Sequence, residues 1–145
     1  MTSVNLGKRH PAAYKGLLAL GADVDAAVAE AGLDPLLAEL VKIRVSQING
    51  CAFCLRMHTR DALAQGESTD RLAVVAAWWE SQYFTPVECA ALALAEQVTE
   101  PAAPVRRVWD DGSLTDEQVS AVSWLAIVMN AWNRLAVTSH YPVAP

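Results

Sequence analysis

Positive charge is scarce in this chain. Only 11 of its 145 residues are Lys or Arg, against 16 Asp or Glu, for a net charge of −5. The basic residues form no cluster, which excludes the concentrated footprint that a phosphate backbone requires. No nucleic-acid partner is expected; the balance points to a small molecule or a partner that tolerates an acidic surface. Long apolar runs are missing as well. The start, MTSVNLGKRHPAAYKG, has no apolar stretch after its basic residues, and the most apolar segment, AVSWLAIVM, is too short to span a bilayer and leads into Asn130, Asn133 and Arg134. The expectation is a cytoplasmic protein with no membrane partner. There is no internal repeat, low-complexity tract or long linker, so residues 1–145, 53% of them apolar, are expected to form a single domain. Cysteine is limited to three, an odd count that makes a poor disulfide framework; two of them, Cys51 and Cys54, are close-set as in a redox or metal pair.

Alternation of period two, the mark of a half-buried strand, is almost absent, and helix caps punctuate the chain instead. The fold expected is all-α, a compact multi-helix domain built on a central antiparallel helix hairpin. A first helix runs from Pro11 to about Glu30, interrupted in pattern by Gly16 and Gly21 and stopped by Gly32. Asp34 caps a second, with Pro35 in its first turn, that ends at Asn49-Gly50. The next helix opens at Cys51 and closes at Gly66. STDRLAVVAAWWE predicts one helix capped by Ser68 or Thr69, and Thr85, Pro86 and Glu88 form a capping box for another. A short helical piece near Val105–Asp110 follows. Thr115 and Gln118 then box a helix over roughly Asp116–Val137, second in length to the first and apolar nearly all round, a pattern that predicts burial on more than one side.

Helical geometry gives NGCAFCLRMH, residues 49–58, its meaning. Residues three, four and seven apart share a helix face, so Cys51, Cys54 and His58 lie together. At a helix start the unsatisfied N–H groups and the dipole stabilise a thiolate, and His58, one turn beyond Cys54, is placed to take that thiol's proton. A histidine base works best when a carboxylate holds its tautomer. If the helices flanking Gly50 pack antiparallel, Glu39 and His58 lie about 16 and 12 Å from the turn at 1.5 Å per residue, within one turn of the same level. Three readings stay open on these grounds: a redox dithiol with a Glu39–His58–Cys54 relay, a zinc site on Cys51, Cys54 and His58 that would need a fourth ligand, and a sulfur-containing apolar patch. Elsewhere the expectations are plainer: Cys89 in the core, His10 and His140 solvated, Trp78 and Trp79 filling the core or an interface, and Arg134 paired with a buried carboxylate.

The segments ELVKIRVSQINGCAFCLRMHTRDA and MNAWNRLAV resemble the alkyl hydroperoxidase D family of the carboxymuconolactone decarboxylase-like superfamily, and the similarity extends over about residues 11–138. That family places a glutamate twelve residues before a C-x-x-C that is followed by three residues and a histidine, here Glu39, Cys51, Cys54 and His58. The resemblance implies a thiol-dependent peroxidase: Cys54 attacks a hydroperoxide, Cys51 resolves the sulfenic acid as a disulfide, and Glu39 and His58 relay the proton. It implies a dithiol or thiol-protein reductant and assembly as a homotrimer or homohexamer; no cofactor or metal is expected. Thiol–disulfide exchange without peroxidase turnover, or a metal-binding or redox-sensing module, are the alternatives. Phe53 stands where the best-known members carry a further histidine, which shortens the relay by one member.

Overall fold

The computed structural model describes residues 3–145, and every structured element among them is helical. A short α1 (Leu6–Arg9) precedes α2 (Pro11–Glu30), α3 (Pro35–Asn49), α4 (Ala52–Ala64), α5 (Thr69–Val74), α6 (Pro86–Thr99) and α7 (Asp116–Thr138). Local chemistry sets these limits. Asp34 Oδ1 accepts the Leu36 N–H at 2.8 Å, and Thr85/Glu88 and Thr115/Gln118 form complete capping boxes at the starts of α6 and α7. Gly16 and Gly21 leave α2 unbroken.

Helix α3 is the hub. It packs on α4, α6 and α7, while α2 lies along α7. Its buried residues divide between two apolar clusters. Leu37, Val41 and Val45 join α2, α6 and α7 in the larger one, together with Cys51 and Cys54; Leu40 and Ile43 join Ala62, Val75, Trp78, Phe84 and Leu92 in the smaller. A helix buried on both sides carries few places for charge, so Glu39, also buried there, needs partners.

A polar seam crosses this interior. Asn133, with no exposed surface, donates from Nδ2 to Ser46 Oγ at 3.0 Å and accepts at Oδ1 from Asn49 Nδ2 at 3.0 Å. Asn49 also donates to Asn130 Oδ1 at 2.9 Å, and Asn130 donates on to Thr99 Oγ1 at 3.0 Å. The seam clamps the last residue of α3 to α6 and α7, immediately before the turn that presents Cys51.

Several expectations are corrected. The segment after Ser68 is not one helix: α5 gives way to a 3-10 stretch over Val75–Glu80 with a break at Ala77 (φ −134°, ψ 38°). The break separates two tryptophans with different destinations. Trp78 is buried and donates its indole N–H to Glu96 Oε1 at 2.9 Å, whereas Trp79 reaches the surface. Residues 105–110 are irregular rather than helical, because tertiary anchors prevail over weak local propensity: Arg107 bonds Glu96 Oε2 at 3.1 Å and stacks 3.6 Å above the Trp79 ring. Helix α7, at 23 residues, is longer than the 20-residue α2. Arg134 is exposed and donates to Asn130 instead of a buried carboxylate. Cys89 is half-buried at the edge of the smaller cluster, its thiol directed at the Phe84 carbonyl. One face of α7 is buried in the chain, but Trp124, Ile127 and Val137 remain between 45 and 47% exposed. His10 and His140 are both exposed. No helix of the described residues is long and apolar enough to cross a membrane.

Replacing Asn133 by alanine will remove two interior hydrogen bonds, one buried and one part-buried, and cost about 1–3 kcal/mol. Urea unfolding checks this, and an unchanged midpoint would show that the seam contributes nothing to stability.

Candidate active site

The site starts at Gly50. Its backbone is left-handed (φ +66°), a conformation that side chains with a Cβ rarely adopt, and it ends α3 while turning the chain directly into α4. Cys51 follows as the N-cap of α4: its N–H donates to Ser46 O at 3.0 Å, and its Sγ accepts the Cys54 N–H at 3.3 Å. Cys51 and Cys54 are joined as a disulfide with their Cα atoms 5.4 Å apart. Both sulfurs therefore sit at the positive end of α4, where a thiolate released from the bond is stabilised.

Because the turn is so short, α3 and α4 run back along each other in register. Glu39 and His58, 19 positions apart, meet with Nδ1 3.0 Å from Glu39 Oε2. Both are more than nine-tenths buried. The other carboxylate oxygen, Oε1, receives Lys42 Nζ at 3.2 Å, one turn along α3. Burial by itself pushes the Glu39 carboxyl upward; the His58 hydrogen bond and the Lys42 charge outweigh it and hold the group below its ordinary range. Asp61, half exposed on α4, brings Oδ2 to 3.7 Å from the same His58 nitrogen, too far for a hydrogen bond. With Nδ1 committed to Glu39, Nε2 is the imidazole nitrogen left to exchange a proton.

His58, Cys54 and Lys42 share a cavity of about 390 Å³. Its walls are mostly apolar, with aromatic rings among them: Tyr14, Leu18 and Val24 from α2, Phe53 and Met57 from α4, Met129 and Trp132 from α7, and Tyr141 beyond it. Phe53 meets Tyr141 edge-on at 5.1 Å between ring centres, and Trp132 meets Tyr14 likewise at 5.5 Å. Asp25 is a further charged group in the wall. Cys51 takes no part in it, so the disulfide presents one sulfur to the cavity.

All four residues singled out from the sequence, Glu39, Cys51, Cys54 and His58, thus lie at the junction of α3 and α4. A zinc set of Cys51, Cys54 and His58 is not assembled, since the sulfurs are bonded to each other and His58 Nδ1 faces Glu39. Glu39, His58 and Asp61 offer donor atoms within 4.8 Å of one another, but the Lys42 ammonium against Glu39 opposes a cation there. Sequence reasoning missed Lys42, although its position one turn after Glu39 is a signal. It also missed the aromatic wall from α2, α7 and Tyr141, which no local pattern announces.

Comparison with known proteins fits this geometry. The chain matches the crystal structure of an Agrobacterium tumefaciens protein of unknown function, provisionally assigned as the antioxidant defence protein AhpD, with a TM-score of 0.86 and 32% identity over 99% of this chain and 100% of that one. The fold is AhpD-like. The family model for the carboxymuconolactone decarboxylase family matches residues 11–97, a span that takes in Glu39, both cysteines and His58, and the chain belongs to that family. Two relatives are uncharacterized. YdfG of Bacillus subtilis is 41% identical over 105 residues, 68% of this chain and 70% of that protein. YnjA of Escherichia coli is 37% identical over 71 residues, 48% of this chain and only 39% of its own length.

Glu39 has a lowered carboxyl value, so its stabilising contribution is fully present above the ordinary value of 4.5 and is lost as pH falls through the folded-state value. Urea midpoints of the wild type and Glu39→Gln, followed from pH 7 to 3, will converge as the pH drops, with the wild type losing more. Parallel curves would mean that Glu39 is not ionised in the folded protein.

Proposed function

We propose that the protein is an enzyme, a thiol-dependent peroxidase that reduces organic hydroperoxides through the Cys51–Cys54 pair. The observation that carries the reading is the pairing of Cys54 with His58 on one cavity wall, the histidine being backed by a buried carboxylate. In the reduced protein His58 Nε2 accepts the Cys54 proton and the thiolate attacks the terminal peroxide oxygen. The O–O bond breaks, the alcohol departs with the proton from His58, and Cys54 is left as a sulfenic acid. Cys51 then attacks Cys54 Sγ; the S–S bond forms and the sulfenic oxygen leaves as water. An external dithiol, oxidised to its own disulfide, restores both thiols. The apolar, aromatic wall favours a hydroperoxide with an apolar organic group over hydrogen peroxide.

The provisional antioxidant assignment of the Agrobacterium relative supports the same chemistry. Phe53 favours a second reading: with an aromatic ring in place of the histidine found in the best-known family members, the pair can serve thiol–disulfide exchange without peroxidase turnover. Stopped-flow mixing of the reduced protein with an organic hydroperoxide separates the two. Rapid stoichiometric loss of two thiols is the expected result; oxidation by disulfides alone would replace the peroxidase with an exchange enzyme. We place this activity in the cytoplasm and in a homotrimer or homohexamer. The exposed Trp124, Ile127 and Val137 on α7 support assembly, since a second copy would cover them.

Three outcomes follow from this reading. Glu39→Gln will slow oxidation of the dithiol by about a hundredfold, because the amide cannot polarise His58 as a carboxylate does; an unchanged rate would leave Glu39 a structural acid. In Cys51→Ser, Cys54 will be oxidised and stop as a sulfenic acid that a dimedone-type reagent traps, whereas Cys54→Ser will lose fast peroxide consumption. Trapping at Cys51 instead would reverse the two roles. Light scattering at micromolar concentration will return a multiple of 15.6 kDa, and a monomer mass would refute the assembly.

A further inference from the structure

We propose that Lys42 is a positioning residue of the dithiol site: its ammonium group pins Glu39 Oε1, so that Oε2 receives the His58 Nδ1 proton and Nε2 is left to serve Cys54. This rests on the reading of Cys54 as the reactive thiol, but not on the identity of its oxidant.

The division of the carboxylate is the first ground. Glu39 has two oxygens and two donors, Lys42 at 3.2 Å on Oε1 and His58 at 3.0 Å on Oε2. With Oε1 occupied, the carboxylate is oriented by one helix and read by the next. The placement of Lys42 is the second ground. A lysine usually extends into solvent, yet this side chain is only 19% exposed and forms part of the cavity wall beside Cys54 and His58. A cation held in an apolar wall is retained there by a specific partner.

The charges facing Glu39 and His58 show what Lys42 contributes. From α3 there is Lys42 alone; from α4 come His58 itself and Asp61; from α2, Asp25 faces the same cavity. Apart from His58, every group other than Lys42 is an acid. Without the ammonium, the Glu39 and Asp61 carboxyl groups would face the imidazole with no cation beside them, and two states would become more stable. Either Glu39 takes up a proton, and its hold on Nδ1–H weakens, or His58 becomes an imidazolium. An imidazolium has a proton on Nε2 and cannot accept another. Both states remove the base from Cys54. Lys42 opposes both, because its positive charge disfavours adding a proton to either partner.

The test is alkylation of Cys54 by iodoacetamide in the reduced Cys51→Ser background, which needs no peroxide and so stands apart from the peroxidase reading. In Lys42→Met the acid limb of the rate profile will move to higher pH by about one unit, slowing the reaction about tenfold near pH 6 and less than about twofold above pH 8. Lys42→Arg will keep the wild-type limb. Nitrogen NMR of the His58 ring at neutral pH will show the Nδ1–H tautomer in the wild type and the Arg variant, and loss of that single-tautomer signature in Lys42→Met. Superimposable pH profiles for Lys42→Met and the wild type overturn the proposal, as does a uniform loss of rate with no movement of the limb. Lys42→Gln, which is polar but uncharged, will behave as Lys42→Met; a wild-type limb in that variant would mean that hydrogen bonding, not charge, sets the site, and would equally overturn the proposal.

Discussion

The hydrogen bond between Glu39 and His58 depends on a constraint eleven residues away, the left-handed turn at Gly50. A reversal made with one residue of positive φ leaves no slack between α3 and α4, and the register of the two helices is fixed by it. Lengthening that turn by a residue would rotate α4 by about 100° and turn His58 away from Glu39. The same turn delivers Cys51 to the N-cap of α4 and brings both sulfurs to its positive end. The asparagine seam through Asn49, Asn130 and Asn133 holds the last turn of α3 against α6 and α7, so the turn is anchored before the cysteines begin.

Burial makes the charges in this site interdependent. A carboxylate in the interior of a helix hub is costly unless its oxygens are both occupied, and Glu39 meets that condition through Lys42 and His58. In a low-dielectric setting these bonds reinforce one another, so the three side chains act as one hydrogen-bonded unit. Asp61, 3.7 Å from the imidazole, lies near enough to join that balance but is not bonded within it. The apolar side chains around these groups lower the local dielectric and strengthen these interactions.

Much of this was legible in the sequence, and the parts that were not share a cause. Caps at Asp34, Thr85 and Thr115 and the Asn49-Gly50 stop are local signals that act through the nearest few backbone groups, and they marked helix ends well. The convergence of Glu39 on His58 followed from helical rise and one short turn, without knowledge of the rest of the fold. What could not be read was decided between distant segments. Residues 105–110 have enough helical pattern to mislead, but Arg107 reaches Glu96 and Trp79 only in the folded chain. Trp78 and Trp79 look equivalent side by side, and the break at Ala77 that sends one inward and the other outward answers to Glu96. The cavity has no signature because its wall draws on four helices and Tyr141.

Cys89 shows how the third sulfur is kept out of the chemistry of the other two. Burial, together with the negative charges of Glu88 and Asp111, holds its thiol above the ordinary range, so at neutral pH it remains a thiol and a poor nucleophile. It sits at the edge of the smaller apolar cluster, whereas Cys51 and Cys54 belong to the larger one. The two close-set sulfurs pair with each other, and the third, held as a thiol at the edge of a different cluster, stays apart from them.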